Sequence, residues 1–181
     1  RALRAKGDPE AAIREYLDAI RLEPDDFTAY FNIGNALVDT GDLQGAAASY
    51  RDAILRKPDH AESYYALGMT LADGGDPEGA IEAYHQAIRI RPDYAEAHCN
   101  LGNVLKRHGR VRDALASLRT GHELGSVRPD WDYPSKRWVE EVEWKVALLS
   151  GTAQPRDAVE RIELAALLYA ESRHAESARM A

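Results

Sequence analysis

Residues 61–94 read AESYYALGMTLADGGDPEGAIEAYHQAIRIRPDY, and the flanking sequence repeats their plan at a spacing of 34 residues in both directions. Self-similarity at a fixed period has to be established first, because a missed repeat misassigns the whole fold. Working outward from this stretch, Pro92 has counterparts at Pro24 and Pro58, Gly68 at Gly34 and Gly102, and Gly75 at Gly7, Gly41 and Gly109. Ala80 recurs as Ala12, Ala46 and Ala114, Tyr84 as Tyr16 and Tyr50, and Ala87 as Ala19 and Ala53. So many residue types do not fall into register by chance.

Each column has a physical task, and together the tasks predict two antiparallel helices joined by a tight turn. Tyr64, Leu67, Gly68 and Leu71 form an apolar face at helical period, repeated by Tyr30, Ile33, Gly34 and Leu37 and by His98, Leu101, Gly102 and Leu105. A glycine inside a helix costs about 1 kcal/mol relative to alanine. Its return in three units therefore predicts close approach of the partner helix, with the alanine columns as the matching small surface. Asp59 with Glu62, and Asp93 with Glu96, have the spacing of a cap at the start of the first helix. Gly41, Gly75 and Gly109 end that helix. Asp-Pro-Glu at residues 8–10 and 76–78 starts the second, and the prolines at 24, 58 and 92 stop it. Strand signals are absent, so the predicted fold class is all-α.

The Tyr-x-x-Leu-Gly-x-x-Leu face, the Ala and Tyr columns and the closing proline resemble the tetratricopeptide repeat, which implies a right-handed superhelical solenoid of antiparallel helix pairs. Residues 27–60 and 61–94 are complete units, residues 1–26 the tail of one, and residues 95–125 a degenerate unit. There Leu118 replaces the tyrosine, Gly121 the alanine and Ser126 the proline, so relaxed packing is expected. Residues 126–134, with Pro129, Trp131, Tyr133 and Pro134, make an aromatic linker, and residues 135–181 a helical extension. Ser135 is expected to cap its first helix, which carries Trp138, Val142, Val146 and Leu149 and ends at Gly151. Pro155 starts a truncated repeat-like unit with Ile162, Ala165, Ala166 and Tyr169, and Ala175 to Ala181 begin its partner helix. Trp131, Trp138 and Trp144 read as packing residues.

Gly121-His122-Glu123-Leu124-Gly125-Ser126, Arg128-Pro129, Trp131, Tyr133-Pro134-Ser135 and Trp138-Val139 also resemble the region after the repeats in large bacterial serine/threonine protein kinases. That resemblance implies the non-catalytic arm of a signalling kinase. The chain has no Gly-rich phosphate loop, His-Arg-Asp or Asp-Phe-Gly of its own. It opens on Arg1 and ends inside an element, so it is expected to belong to a longer protein.

Composition narrows the function classes. The formal net charge is -7, and the one dense basic run, Lys106, Arg107, His108, Arg110 and Arg112, reads as a solvated turn. Nucleic-acid binding, which needs clustered cations, is not expected. No stretch approaches the roughly 20 apolar residues of a membrane span. The single cysteine, Cys99, leaves no disulfide framework and fits a reducing, cytoplasmic setting. No pair of the six histidines has metal-ligand spacing and no nucleophile elbow is present, so neither catalysis nor a cofactor is expected. His98 reads as core and Cys99 as an apolar filler.

Function is instead expected on the first helices, along a stripe offset from the packing face and turned to the concave groove. It holds Thr28, Phe31, Asn32, Asn35, Val38 and Asp39, then Glu62, Tyr65, Ala66, Met69, Ala72 and Asp73, then Glu96, Cys99, Asn100, Asn103, Lys106 and Arg107. Phe31, Asn32, Asn35, Tyr65, Met69, Asn100, Asn103 and Lys106 are the candidate ligand-binding residues. Aromatic anchors beside amides that donate and accept are what recognition of an extended peptide needs. Alternatively, Phe31 and Tyr65 contact each other across neighbouring units, and the asparagines cap turns or face water.

The family resemblance implies a protein or peptide partner in this groove. Of the carboxylate-clamp variety, which grips the C-terminus of heat-shock chaperones, Asn35 matches, but Phe31, Glu96 and Asn100 stand where basic residues belong. Asparagine-rich grooves also occur in N-acetylglucosamine transferase solenoids. The expected role is a protein-interaction scaffold. The alternative is a regulatory or self-association arm of an attached kinase, joined through open ends that carry Leu3 and Met180.

Overall fold

The structure, a computed structural model, describes the backbone of residues 8–180 and the side chains of residues 8–173. Leu3, Gly7 and the side chain of Met180 lie outside the described residues. Among those described there are nine helices and no strand. The chain divides into two compact units, Arg1–Pro92 and Asp93–Ala181.

The first unit holds α1 (Pro9–Leu22), α2 (Phe27–Thr40), α3 (Leu43–Arg56), α4 (Ala61–Asp73) and α5 (Pro77–Ile90). Helix α2 pairs with α3 and α4 with α5, while α1 packs on α2 and α3 on α4. Asp8 and Asp76 cap α1 and α5, accepting from Ala11 N–H at 2.8 Å and Gly79 N–H at 3.0 Å, with a proline at the first helical position. Asp42 does the same for α3 through Gly45 N–H. Between the members of each pair, Gly41 and Gly75 turn the chain at φ 82° and 81°. No bulkier residue adopts that conformation without strain.

The glycine column does bring helices together, but the partner is a ring rather than an alanine. A Cβ on Gly34 would lie 2.6 Å from Tyr50 Cε1, and one on Gly68 would lie 2.8 Å from the Tyr84 ring. The alanine column, with Ala46, Ala53, Ala80 and Ala87 fully buried, lets the helices approach until the tyrosines reach those gaps. At the helix starts the sequence reading is one residue early. The true cap column is Asp26, His60 and Tyr94, and only Asp26 holds a backbone amide with its side chain, that of Thr28 at 2.9 Å. Glu62 and Glu96 make ion pairs instead, with Arg91 and Arg128.

The second unit comprises α6 (Ala95–Arg107), α7 (Val111–Ser126), α8 (Ser135–Leu149) and α9 (Ala158–Met180). Helix α6 packs on α7 and α7 on α8. The substitutions in α7, from which relaxed packing is expected, are absorbed within the pair. A Cβ on Gly102 would meet Leu118 Cγ at 2.6 Å, and one on Gly121 would meet Cys99 Sγ at 2.6 Å. Helix α9 runs unbroken for 23 residues, so Ala175 begins no new helix. Its sequence from Ala170 to Met180 holds neither glycine nor proline to stop it.

Candidate functional site

In the first unit, α2 carries Phe31, Asn32 and Asn35, and α4 carries Tyr65 and Met69. The Phe31 ring lies 5.7 Å from Tyr50 and meets His60 edge-on at 5.3 Å, while Tyr65 lies 6.0 Å from Tyr84. These distances suit tilted aromatic packing. Each ring is half-buried and braced from its own helix pair, so it offers a fixed edge. Asn35 is partly spent, because its Oδ1 accepts the Tyr50 hydroxyl at 2.9 Å. Asn32 makes no side-chain hydrogen bond among the described residues. Met69, at 41% exposure, is the open apolar group of the set.

His60 joins α2 to α4. Its ring also lies 4.9 Å from Phe27, Nδ1 shares a 2.8 Å hydrogen bond with Ser63 Oγ, and Nε2 is 3.2 Å from Glu62. Burial, helped by Lys57 and Arg91 and opposed by Glu62 and Asp59, holds the His60 pKa below its usual value. For Glu62 burial acts upward, yet its backbone hydrogen bond and Arg91 outweigh it and leave the carboxyl below the usual range.

In the second unit, α6 carries Asn100, Asn103 and Lys106. Asn103 makes no side-chain hydrogen bond among the described residues. Lys106 is committed: Nζ lies 3.0 Å from Glu141 on α8, and its side chain is only 17% exposed. Lys145 continues the network to Glu141 and Glu163. Cys99, expected on the groove stripe, is instead fully buried beneath Gly121, and burial pushes its thiol up to about 12. The missing Cβ at position 121 draws it in. Arg110 and Arg112 of the basic run are ion-paired, to Asp113 and Glu171.

Between α7 and α8 lies a cluster that the sequence shows only as an aromatic linker. Trp131 covers Gly125, where a Cβ would come within 2.3 Å of the indole, and stacks on Tyr133 at 4.7 Å, which meets Trp138 edge-on at 5.9 Å. Ser135 does not cap α8. It is the first helical residue, and its buried hydroxyl accepts Trp131 Nε1–H at 3.0 Å and shares a 2.9 Å hydrogen bond with His122 Nδ1. Glycine ten residues before serine, with tryptophan between, is the one sequence trace of this arrangement. The linker residues thus pack, as read for Trp131 and Trp138. Trp144 packs too, with Arg156 4.7 Å over its ring, although its buried Nε1–H has no partner among the described residues.

No group of three His, Cys, Asp or Glu among the described residues could hold a metal ion, and no described helix is long and apolar enough to cross a membrane. Among solved structures the chain is similar to MamA, with a TM-score of 0.73 and 22% identity over 96% of this chain and 94% of that one. It is also similar to YrrB, described as a TPR protein with an unusual peptide-binding site, at TM-score 0.63 and 22% identity over 78% and 73% of the two chains. A third likeness is to Thermobaculum terrenum O-GlcNAc transferase, at TM-score 0.59 and 28% identity, covering 66% of this chain and 23% of that one. No curated protein sequence matches. A tetratricopeptide repeat model matches residues 1–61 and a TPR repeat model residues 70–109, together more than half of the chain. With the 34-residue register of its helix starts at Pro9, Leu43, Pro77 and Val111, this places the chain in the tetratricopeptide repeat family.

Proposed function

We propose that this chain is a protein-interaction scaffold that binds an extended peptide along the exposed faces of α2 and α4. The observation that carries the reading is the combination on α2 and α4: braced ring edges at Phe31 and Tyr65, an exposed Met69, and an Asn32 amide spent on no internal bond. Rigid aromatics supply contact area at low entropy cost, and free amides pair with a peptide backbone. Within the second unit Asn103 offers an amide of the same kind on α6, whereas Asn35 and Lys106 serve the fold first. Asn100 is half-buried and belongs to the surface only at its edge.

The test is to select binders from a random-peptide display library and measure Kd on the parent and on Asn32→Ala/Met69→Ala. Neither change removes a side-chain hydrogen bond found among the described residues. A loss of about tenfold in affinity with an unchanged melting curve is the expected result. Unchanged affinity would remove the reading.

One observation favours a second reading, self-association. Val159, Ile162 and Tyr169 are exposed at helical spacing on α9. Ultracentrifugation of the parent and of Ile162→Glu decides it, since a concentration-dependent dimer lost in the variant is required. A role as the arm of an attached kinase rests on the resemblance of residues 121–139 alone. Those residues already have work in packing Trp131 on Gly125.

A further inference from the structure

At the step from α3 to α4 the repeat is under-filled. One column runs Ile13, Ala47, Ile81 and Leu115, so a large aliphatic residue is replaced by alanine in this unit alone. The result is a cleft of about 220 Å³ lined on its apolar side by Leu43, Ala47 and Leu71. Thr70 also lines it, with its hydroxyl committed to the Ala66 carbonyl at 2.9 Å. Pockets for drug-sized ligands run from about 300 to 1,000 Å³. This one is smaller, the size for a side chain rather than a cofactor.

Two charged residues border the cleft, Arg51 and Asp76. Asp76 is held on the Gly79 amide, where it caps α5. Arg51 is exposed and makes no ion pair or hydrogen bond among the described residues. Its counterpart two repeats later in the same column, Arg119, is by contrast paired with Glu143 at 2.7 Å. An uncommitted cation beside an empty apolar socket selects for an anionic neighbour to an aliphatic group.

We propose that this cleft is a second docking site, independent of the first-helix face, which takes an acidic peptide segment by inserting one aliphatic side chain against Ala47 and Leu71 and setting the adjacent carboxylate on Arg51. The chain as a whole is acidic, so the attraction is local and weakens with salt. Filling the socket returns the unit to the pattern of its neighbours, which is why Ala47→Ile is the natural block.

The experiment titrates the ¹⁵N-labelled chain with the peptide Ac-Gly-Leu-Glu-Gly-NH2 and follows the amides of Ala47, Thr70 and Gly74. Saturable shifts are expected in the parent. The Gln-for-Glu peptide and the Arg51→Gln variant should each bind about two- to fivefold more weakly, the range for an exposed ion pair. The Ser-for-Leu peptide and Ala47→Ile should abolish the shifts. The proposal is overturned if the parent shows no saturable shift, if a folded Ala47→Ile binds like the parent, or if Arg51→Gln binds both peptides as the parent does. Arg51 is exposed, so its variant remains informative should Ala47→Ile fail to fold. Asn32→Ala/Met69→Ala must bind the peptide normally, which separates this site from the first-helix reading.

Discussion

The pairs of the first unit and the connector of the second solve one packing problem in two ways. In α2/α3 and α4/α5 a glycine on one helix receives a tyrosine from the other, at a spacing fixed by the repeat. At Gly125 the ring that fills the gap is Trp131, which arrives from a loop and is then tied to Ser135, itself hydrogen-bonded to His122. The close approach is the same, but the means of fixing it differ. A helix-borne ring is held by the whole pair, whereas a loop-borne ring is held by its own polar tether.

That contrast predicts unequal responses to substitution. The largest loss is expected for Tyr84→Ala, which empties a nearly fully buried site and should cost about 3–5 kcal/mol in denaturant unfolding. Gly34→Ala forces a methyl into the buried Tyr50 ring and should cost about 1–3 kcal/mol, since overpacking exceeds the gain in helix propensity. Gly125→Ala should cost less and alter the near-ultraviolet circular dichroism of Trp131, because the loop can yield. Equal costs for the two glycines would break the comparison. Ser135→Ala sharpens it, removing both bonds of the tether at a cost of about 1–3 kcal/mol.

The smallest effect is the pH response at the α2/α4 junction. His60 has its pKa lowered on folding, so its protonation costs stability as pH falls through and below its ordinary value. Glu62 is also lowered, so its contribution is present above its unfolded value and is lost as pH falls through the folded one. Both act in the same sense. Tm should therefore fall between pH 7 and pH 5 and fall further below pH 4, and His60→Gln should flatten the first part only. A variant profile identical to the parent would show that His60 carries no such linkage.

The repeat was legible because every column reports a backbone event that leaves a fixed residue. Gly41 and Gly75 mark the turns, Asp8 and Asp76 the caps, and Gly34 and Gly68 the contacts. The helix starts at His60 and Tyr94 were misread by one position because Asp59 and Asp93 are good capping residues that happen to precede the cap. The face along α2 and α4 was legible as a stripe, but its chemistry was not. Whether an asparagine is free depends on a partner elsewhere in the chain, as Tyr50 is for Asn35, and spacing does not encode that. Cys99 illustrates the same limit, since its burial is decided by the glycine at 121.

Cys99 also gives the second unit a built-in clock. As the chain's lone thiol, sealed between α6 and α7 and pushed up to about 12, it is inert to alkylating reagents while that pair is closed. Labelling therefore proceeds only through openings of the pair. Where reclosing outpaces labelling, the rate of modification reads out the opening free energy of this pair, without a probe having to be introduced.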